Sequence, residues 1–298
     1  MKSLNQNYTI MKKIKFSLLT ALVALFVVFT FSSCDKDEAG IFNPDKKISK
    51  VYYKDYGDQE YLDQEFTWDG NLLTKVTFYD GGVQDGFENY EYIDKKLNKV
   101  IDNYLYYSTY TYDGKYYSKI EYFNPGGTLI SDIVFEYTNE KVSKMAITTY
   151  MTVKHFNTML ERGIVGKLLP AQETKVLLEE IQKNQANNPK STTNVVFVYD
   201  GDNLTSLTVG TYITTFANYD TYKNPMYNYF PFSNFNEETN PLVFQKNNPG
   251  TMTTSFSGVD IVTNYTYTYD GDYPTNINTT TSYLGFEITT QTRLVYLD

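Results

Sequence analysis

The stretch Tyr110-Thr111-Tyr112-Asp113-Gly114-Lys115-Tyr116-Tyr117-Ser118-Lys119-Ile120-Glu121-Tyr122 decides the fold class. It holds two β-prone runs with a turn between them. Aromatic and polar residues alternate along Tyr110-Thr111-Tyr112 and again along Ser118 to Tyr122, the period of a half-buried strand. Asp-Gly between them supplies the positive φ that a tight hairpin needs.

Working outward, the same unit recurs: an aromatic residue, a turn, and five positions later an apolar residue that opens a short strand. Trp68-Asp69-Gly70 leads to Leu73-Thr74-Lys75-Val76, Tyr92 to Leu97-Asn98-Lys99-Val100, and Tyr112 to Tyr117-Ser118-Lys119-Ile120. Tyr137 leads to Val142-Ser143-Lys144-Met145, Tyr199-Asp200-Gly201 to Leu204-Thr205-Ser206-Leu207, and Tyr269-Asp270-Gly271 to Pro274-Thr275-Asn276-Ile277. A truncated copy opens the series at Ile48-Ser49-Lys50-Val51. Looser turns, Asp80-Gly81-Gly82 and Asn124-Pro125-Gly126-Gly127, join one hairpin to the next. The expectation is an all-β fold, an antiparallel meander of repeated hairpins forming a curved sheet or incomplete barrel, with a two-sheet sandwich as the alternative.

The rhythm breaks twice. Residues 157–188 read as a helical insert, with Pro170 in a first turn, Glu173 near the positive end, and Leu177, Leu178 and Ile181 as a narrow apolar stripe bound for the concave face of the sheet. From Asp220 to Gly250 the chain is rich in Asn, Pro and aromatics and reads as a long loop, the kind that carries function. Tyr222, Tyr227, Tyr229 and Phe232 in it are the candidate ligand contacts; the competing reading is that such rings plug one end of the sheet.

Composition removes several chemistries. The 298 residues include one Cys and one His, so a multi-histidine metal centre, a Cys/His zinc site and an internal disulfide are excluded. His155 stands between Val153 and Phe156 without catalytic partners and reads as structural. A formal charge of −9 argues against nucleic acid as a partner. The Asp-Gly-Asp clusters at Asp200 and Asp270 are explained by turn geometry rather than by calcium. No cofactor or metal is expected, and no spacing singles out a catalytic carboxylate pair. The recurrent Lys50, Lys75, Lys99, Lys119 and Lys144 read as a solvated face.

The amino terminus addresses the chain. Lys12, Lys13 and Lys15 precede an apolar run from Phe16 to Phe31, followed by Phe31-Ser32-Ser33-Cys34, which has the layout of a secretory signal with residues 1–33 as the leader. The last four resemble the lipobox of bacterial lipoproteins, in which the Cys becomes the lipidated first residue; the family more often has an aliphatic residue where Phe31 stands. Asp35-Lys36-Asp37-Glu38 is similar to the export signal of Bacteroidetes surface lipoproteins, and residues 34–46 form an acidic tether.

Residues 47–298, through Tyr112-Asp113-Gly114, Tyr199-Asp200-Gly201, Tyr269-Asp270-Gly271 and Asn224-Pro225, resemble the Tyr-Asp repeat lipoproteins of Bacteroidetes, reminiscent of RHS-type repeats. Tyr92-Ile93-Asp94 and Tyr137-Thr138-Asn139 depart from the pattern by lacking the Gly. The resemblance implies fold and location and supplies no catalytic residues. The expected protein is held to the outer membrane by lipid on Cys34, at the cell surface or facing the periplasm. It is expected to bind glycan or protein rather than to catalyse. A structural envelope role, a lipid carrier and a glycoside hydrolase are the alternatives.

Overall fold

In the computed structural model the described residues are 44, 46–55, 59–150, 171–185, 190–227, 244–256 and 258–297. Cys34, His155, Pro170, Tyr229 and Phe232 lie outside them, as does the helical insert beyond its described part. The strands are β1 Ile48–Lys54, β2 Tyr61–Asp69, β3 Leu72–Asp80, β4 Val83–Ile93, β5 Lys96–Asp102, β6 Tyr107–Asp113, β7 Tyr116–Phe123 and β8 Leu129–Thr138. They continue as β9 Lys141–Thr149, β10 Ser191–Asp200, β11 Asn203–Val209, β12 Tyr212–Ala217, β13 Thr251–Phe256, β14 Val259–Asp270, β15 Tyr273–Tyr283 and β16 Phe286–Tyr296. Among the described residues there is one helix, α1, spanning Ala171–Gln185.

Every strand pairs antiparallel with its chain neighbour, and β1 also pairs with β16, Val51 opposite Leu294 and Tyr53 opposite Thr292. The sheet is therefore a closed 16-stranded barrel, which corrects the expectation of a curved sheet or incomplete barrel. The physical reason is the seam. The truncated copy at Ile48 and the last strand each offer a free edge, and pairing them satisfies both rows of backbone groups.

Each of the six quoted stretches is a two-residue hairpin. Gly70, Gly114, Gly201 and Gly271 have φ of 55 to 60° as the first loop residue, the pattern of a II′ turn, while the preceding Asp ends the strand. The two copies without Gly instead place Asp94-Lys95 and Asn139-Glu140 at positive φ, the pattern of a I′ turn.

The spacing of five has a cause in the pairing. At each hairpin the register shifts beside the aromatic residue, between Thr67/Trp68, Glu91/Tyr92, Thr111/Tyr112, Glu136/Tyr137, Val198/Tyr199 and Thr268/Tyr269. One residue of the second strand is left unopposed, which is why Leu73 and Val76 both point inward although three positions apart. That unopposed residue is Thr or Ser in five of the six copies and Asn98 in the other. Thr74, Ser143, Thr205 and Thr275 each donate a hydroxyl to a carbonyl across the bulge, at 3.0 to 3.2 Å.

The aromatic residue then reaches back one hairpin. The Trp68 indole donates to the Ile48 carbonyl at 2.9 Å, and the hydroxyls of Tyr92, Tyr112, Tyr137 and Tyr296 donate to the carbonyls of Leu73, Leu97, Tyr117 and Pro274 at 2.6 to 2.9 Å. The acceptors are the same residues that open each second strand. These side chains form a girdle that stitches neighbouring hairpins together near the tight turns.

Burial alternates along the strands with one sense. In β10, Ser191, Thr193, Val195 and Phe197 are buried while Thr192, Asn194, Val196 and Val198 face out. Because the sheet closes, the face covered on every strand is the interior. Ile48, Val51, Leu73, Val76, Ile120, Met145, Ile147, Val195, Leu204 and Ile277 are fully buried there, so this level of the barrel is filled with side chains. Helix α1 packs on the inward face of β10 and β11 through Val176, Leu177, Leu178 and Ile181, with the Asn184 amide donating to Thr193 at 3.3 Å. That is the docking expected of its stripe.

The outer wall is charged. Lys50 meets Glu65 at 3.3 Å, Lys119 meets Glu121 at 2.6 Å, Lys144 meets Glu136 at 2.7 Å and Arg293 meets Glu60 at 2.6 Å. Aromatic rings on this wall are covered by cations: Lys75 lies 4.6 Å over Phe87, Lys99 4.2 Å over Tyr107, and Arg293 3.9 Å over Tyr52.

Candidate functional site

The β12–β13 connection returns to the tight-turn end, where its described residues 218–227 and 244–250 cap the barrel. Side-chain amides organise it. Asp220 accepts from the backbone N–H of Tyr222 at 3.0 Å and of Asn248 at 3.2 Å, from the Asn248 amide at 3.1 Å, and from the Tyr269 hydroxyl. Buried Asn224 accepts from Met226 N–H at 2.9 Å and donates to the Gln245 carbonyl at 2.8 Å. Asn247 links the loop to the β10–β11 turn through Asn203 N–H···O contacts of 3.0 and 3.2 Å. Asp202 is held below the usual carboxylate range by Lys141 and Lys246, each 3.0 Å away.

Of the rings that sequence singles out, the structure places Tyr222 and Tyr227 here. Tyr222 is 42% exposed and stacks on Tyr269 at 4.0 Å with planes 19° apart; Tyr227 is 39% exposed. Tyr219, by contrast, points inward, its hydroxyl bonded to Leu204 carbonyl at 2.6 Å and to Gln245. The loop therefore does both things set against each other in the sequence: Tyr219 and Met226 plug the barrel, and Tyr222 offers an outer ring face of the kind that stacks on flat ligands.

The interior towards the opposite end is polar, which sequence reasoning missed. Ser108, Ser131, Thr149, Ser191, Thr193, Thr214, Thr254, Thr263, Thr279, Thr290 and Thr292 are buried, several in cross-strand hydroxyl pairs such as Thr279–Thr290 at 2.6 Å and Thr214–Thr254 at 3.1 Å. Glu88 is buried among them and accepts from the Tyr90 hydroxyl at 2.8 Å. Register sets Asp102 opposite Glu88, but its carboxylate holds the turn, accepting from Tyr104 N–H at 2.8 Å and Tyr106 N–H at 2.9 Å. The pair is thus a folding device more than an acid–base couple. The signal was available in the phase of Glu88-Asn89-Tyr90, which puts Glu88 on the same face as the Tyr90 ring.

Asp63 is a third acid of this end. Burial pushes its carboxyl up to about 6, with the Gln64 amide at 3.2 Å opposing the rise and Asp80 adding to it. The unfolded value is near 3.8, so folding takes up a proton between these limits and stability falls as pH rises through that window. Asp63→Asn is expected to stabilise the barrel by about 1–2 kcal/mol at roughly pH 8 and to be neutral near pH 3.5, read from urea midpoints. An equal effect at both pH values would contradict the assignment.

No family model matches the chain, and no curated protein matches it. Among solved structures it is similar to a porin-like protein from Bacteroides uniformis, with a TM-score of 0.51 and 14% identity over 87% of this chain and 100% of that one. A porin-like protein from Bacteroides vulgatus aligns with a TM-score of 0.30 and 11% identity over 85% of this chain and 99% of that one, too loosely to carry an argument. The first likeness shows the fold, an all-β antiparallel barrel.

Proposed function

We propose that the chain is an envelope lipoprotein, anchored through Cys34, whose barrel stands in water and binds a glycan or protein at its tight-turn end. It is a binder, neither a pore nor a catalyst. The observation that carries this is the polarity of the wall. A membrane-spanning barrel turns its apolar band outward, and a Lys or Arg at the bilayer midplane costs about 2–4 kcal/mol. Lys50, Lys75, Lys99, Lys119, Lys144 and Arg293 lie on the outer face here, and outward apolar residues sit among them rather than in a continuous band, Val134 opposite Lys119 and Val196 opposite Lys144.

The lipobox-like Phe31-Ser32-Ser33-Cys34 and the fold likeness to a porin-like protein support an envelope setting, at the outer membrane and on its surface. Tyr222 over Tyr269 supports the ligand face.

Cys34→Ala should shift the protein from the membrane to the soluble fraction; a variant that stays with the membrane to the same extent would refute the anchor. In planar bilayers the protein should give no conductance steps, and their appearance would refute the aqueous barrel. On a glycan array, binding by the barrel should be lost with Tyr222→Ala and Tyr227→Ala. Silence from the parent, or undiminished binding by the variant, would remove this loop as a glycan site.

A further inference from the structure

The end opposite the tight turns carries a crown of exposed apolar tips. Val83 at the start of β4, Tyr104 and Leu105 between β5 and β6, and Tyr283, Leu284 and Phe286 at and beside the β15–β16 turn all lie there, with Leu105 65%, Leu284 68% and Phe286 76% exposed. Two of them are also strained. Leu105 and Leu284 have φ of 68° and 48°, a region that large side chains avoid. Among the described residues the other non-glycine residues at positive φ are Asp94, Lys95, Asn139, Glu140 and Asn218, all polar. A bulky apolar residue at the apex of a turn that favours Gly or Asn opposes both solvation and backbone preference. Its recurrence at two tips of one end, each time as Tyr-Leu, marks an element kept for contact.

We infer that this crown docks on a bilayer of zwitterionic, amine-bearing lipids, the Leu and Phe tips entering the acyl boundary and Tyr104 and Tyr283 lying at headgroup level. Charge selects the lipid. Among the described residues, exposed Asp55, Asp80, Asp85, Asp260 and Glu287 lie at this end, against exposed Lys54, Lys183 and Lys190. This acidic setting complements the outermost ammonium groups of phosphatidylcholine or phosphatidylethanolamine and repels lipids with purely anionic headgroups.

A membrane contact at this end leaves the Tyr222 face, at the opposite end of the barrel, pointing away from the bilayer.

The test uses residues 44–298, which contain every described strand, both partners of the barrel seam and the described core, and which lack Cys34. The fragment should float with vesicles of equal parts phosphatidylcholine and phosphatidylethanolamine, and should float less as phosphatidylglycerol replaces them. The double variant Leu105→Asn, Leu284→Asn should lose partitioning by about tenfold or more. Its thermal midpoint should stay equal or rise, because Asn adopts positive φ with less strain. Absence of flotation, undiminished flotation of the variant, preference for phosphatidylglycerol, or crown-dependent self-association without vesicle binding would each overturn the inference, the last in favour of a second copy as occupant. Because the fragment has no anchor, these results are read independently of the Cys34→Ala experiment.

Discussion

Tyr112→Ala is expected to lower the stability of the barrel by about 3 kcal/mol, and Tyr112→Phe by about 1–2 kcal/mol, measured as shifts of the urea midpoint at unchanged slope. The hydroxyl of Tyr112 donates to the Leu97 carbonyl at 2.8 Å, its ring packs at 4.8 Å on Tyr117, and Lys96 lies 5.2 Å over it. Phe keeps the ring contacts and loses the stitch to the preceding hairpin together with the hydroxyl contact to Tyr117; Ala loses the ring contacts as well. Thr111, one position away on the outer wall, serves as control, and Thr111→Ala should change stability by no more than about 0.5 kcal/mol. If Tyr112→Phe were as harmless as Thr111→Ala, the girdle would be packing alone and its hydrogen bonds incidental.

Leu177→Asp is expected to act more severely and more locally. Leu177 is fully buried where α1 meets β10 and β11, and a carboxylate there would have no cationic partner among the neighbouring core residues Val176, Leu178 and Ile181. Truncation to Ala should cost about 3–5 kcal/mol. The Asp variant should release the helix altogether, since an unpaired charge is more costly to bury than the helix is to undock. Amide hydrogen exchange is the measurement. Protection should vanish along residues 175–184 and weaken in β10 and β11, while β2 to β7 keep theirs. Retained protection in the helix would mean that its docking does not depend on this stripe.

The sequence made the hairpins legible because each is local. Turn residues, alternation and the five-residue spacing all fall within about ten positions, and the Trp68, Tyr112 and Tyr269 copies fold as written. What could not be read was closure. Whether the edge at Ile48 finds the edge at Tyr296 depends on accumulated twist and strand number over the whole chain, which no single window contains. The bulges were also hidden, although their mark was visible: the apolar pair Leu73 and Val76 breaks the period of two, and the Thr or Ser between them answers the break. The long connection between Ala217 and Thr251 was legible as a loop, yet composition could not separate the inward Tyr219 from the outward Tyr222. That distinction is set by Asp220 and Asn248, whose backbone contacts turn the chain between the two rings. The buried Glu88 and the hydroxyl-lined half of the interior escaped notice because inward-facing Thr resembles outward-facing Thr on paper.

The seam carries one more consequence. The Leu297 N–H donates to the Lys47 carbonyl at 2.8 Å, so the chain leaves the barrel beside the point where it entered. With β1 flanked by β2 and β16 in the same way that any strand is flanked by its neighbours, the ring has no privileged first strand. The order of elements along the polypeptide could be rotated, its old ends joined by a short link and new ends opened at a loose turn such as Gly126-Gly127, and every pairing would survive. Biosynthesis, however, respects the written order. Until the final strand has emerged the sheet keeps two open margins, so a chain that crosses a membrane as it is made is prevented from completing its ring before the crossing ends.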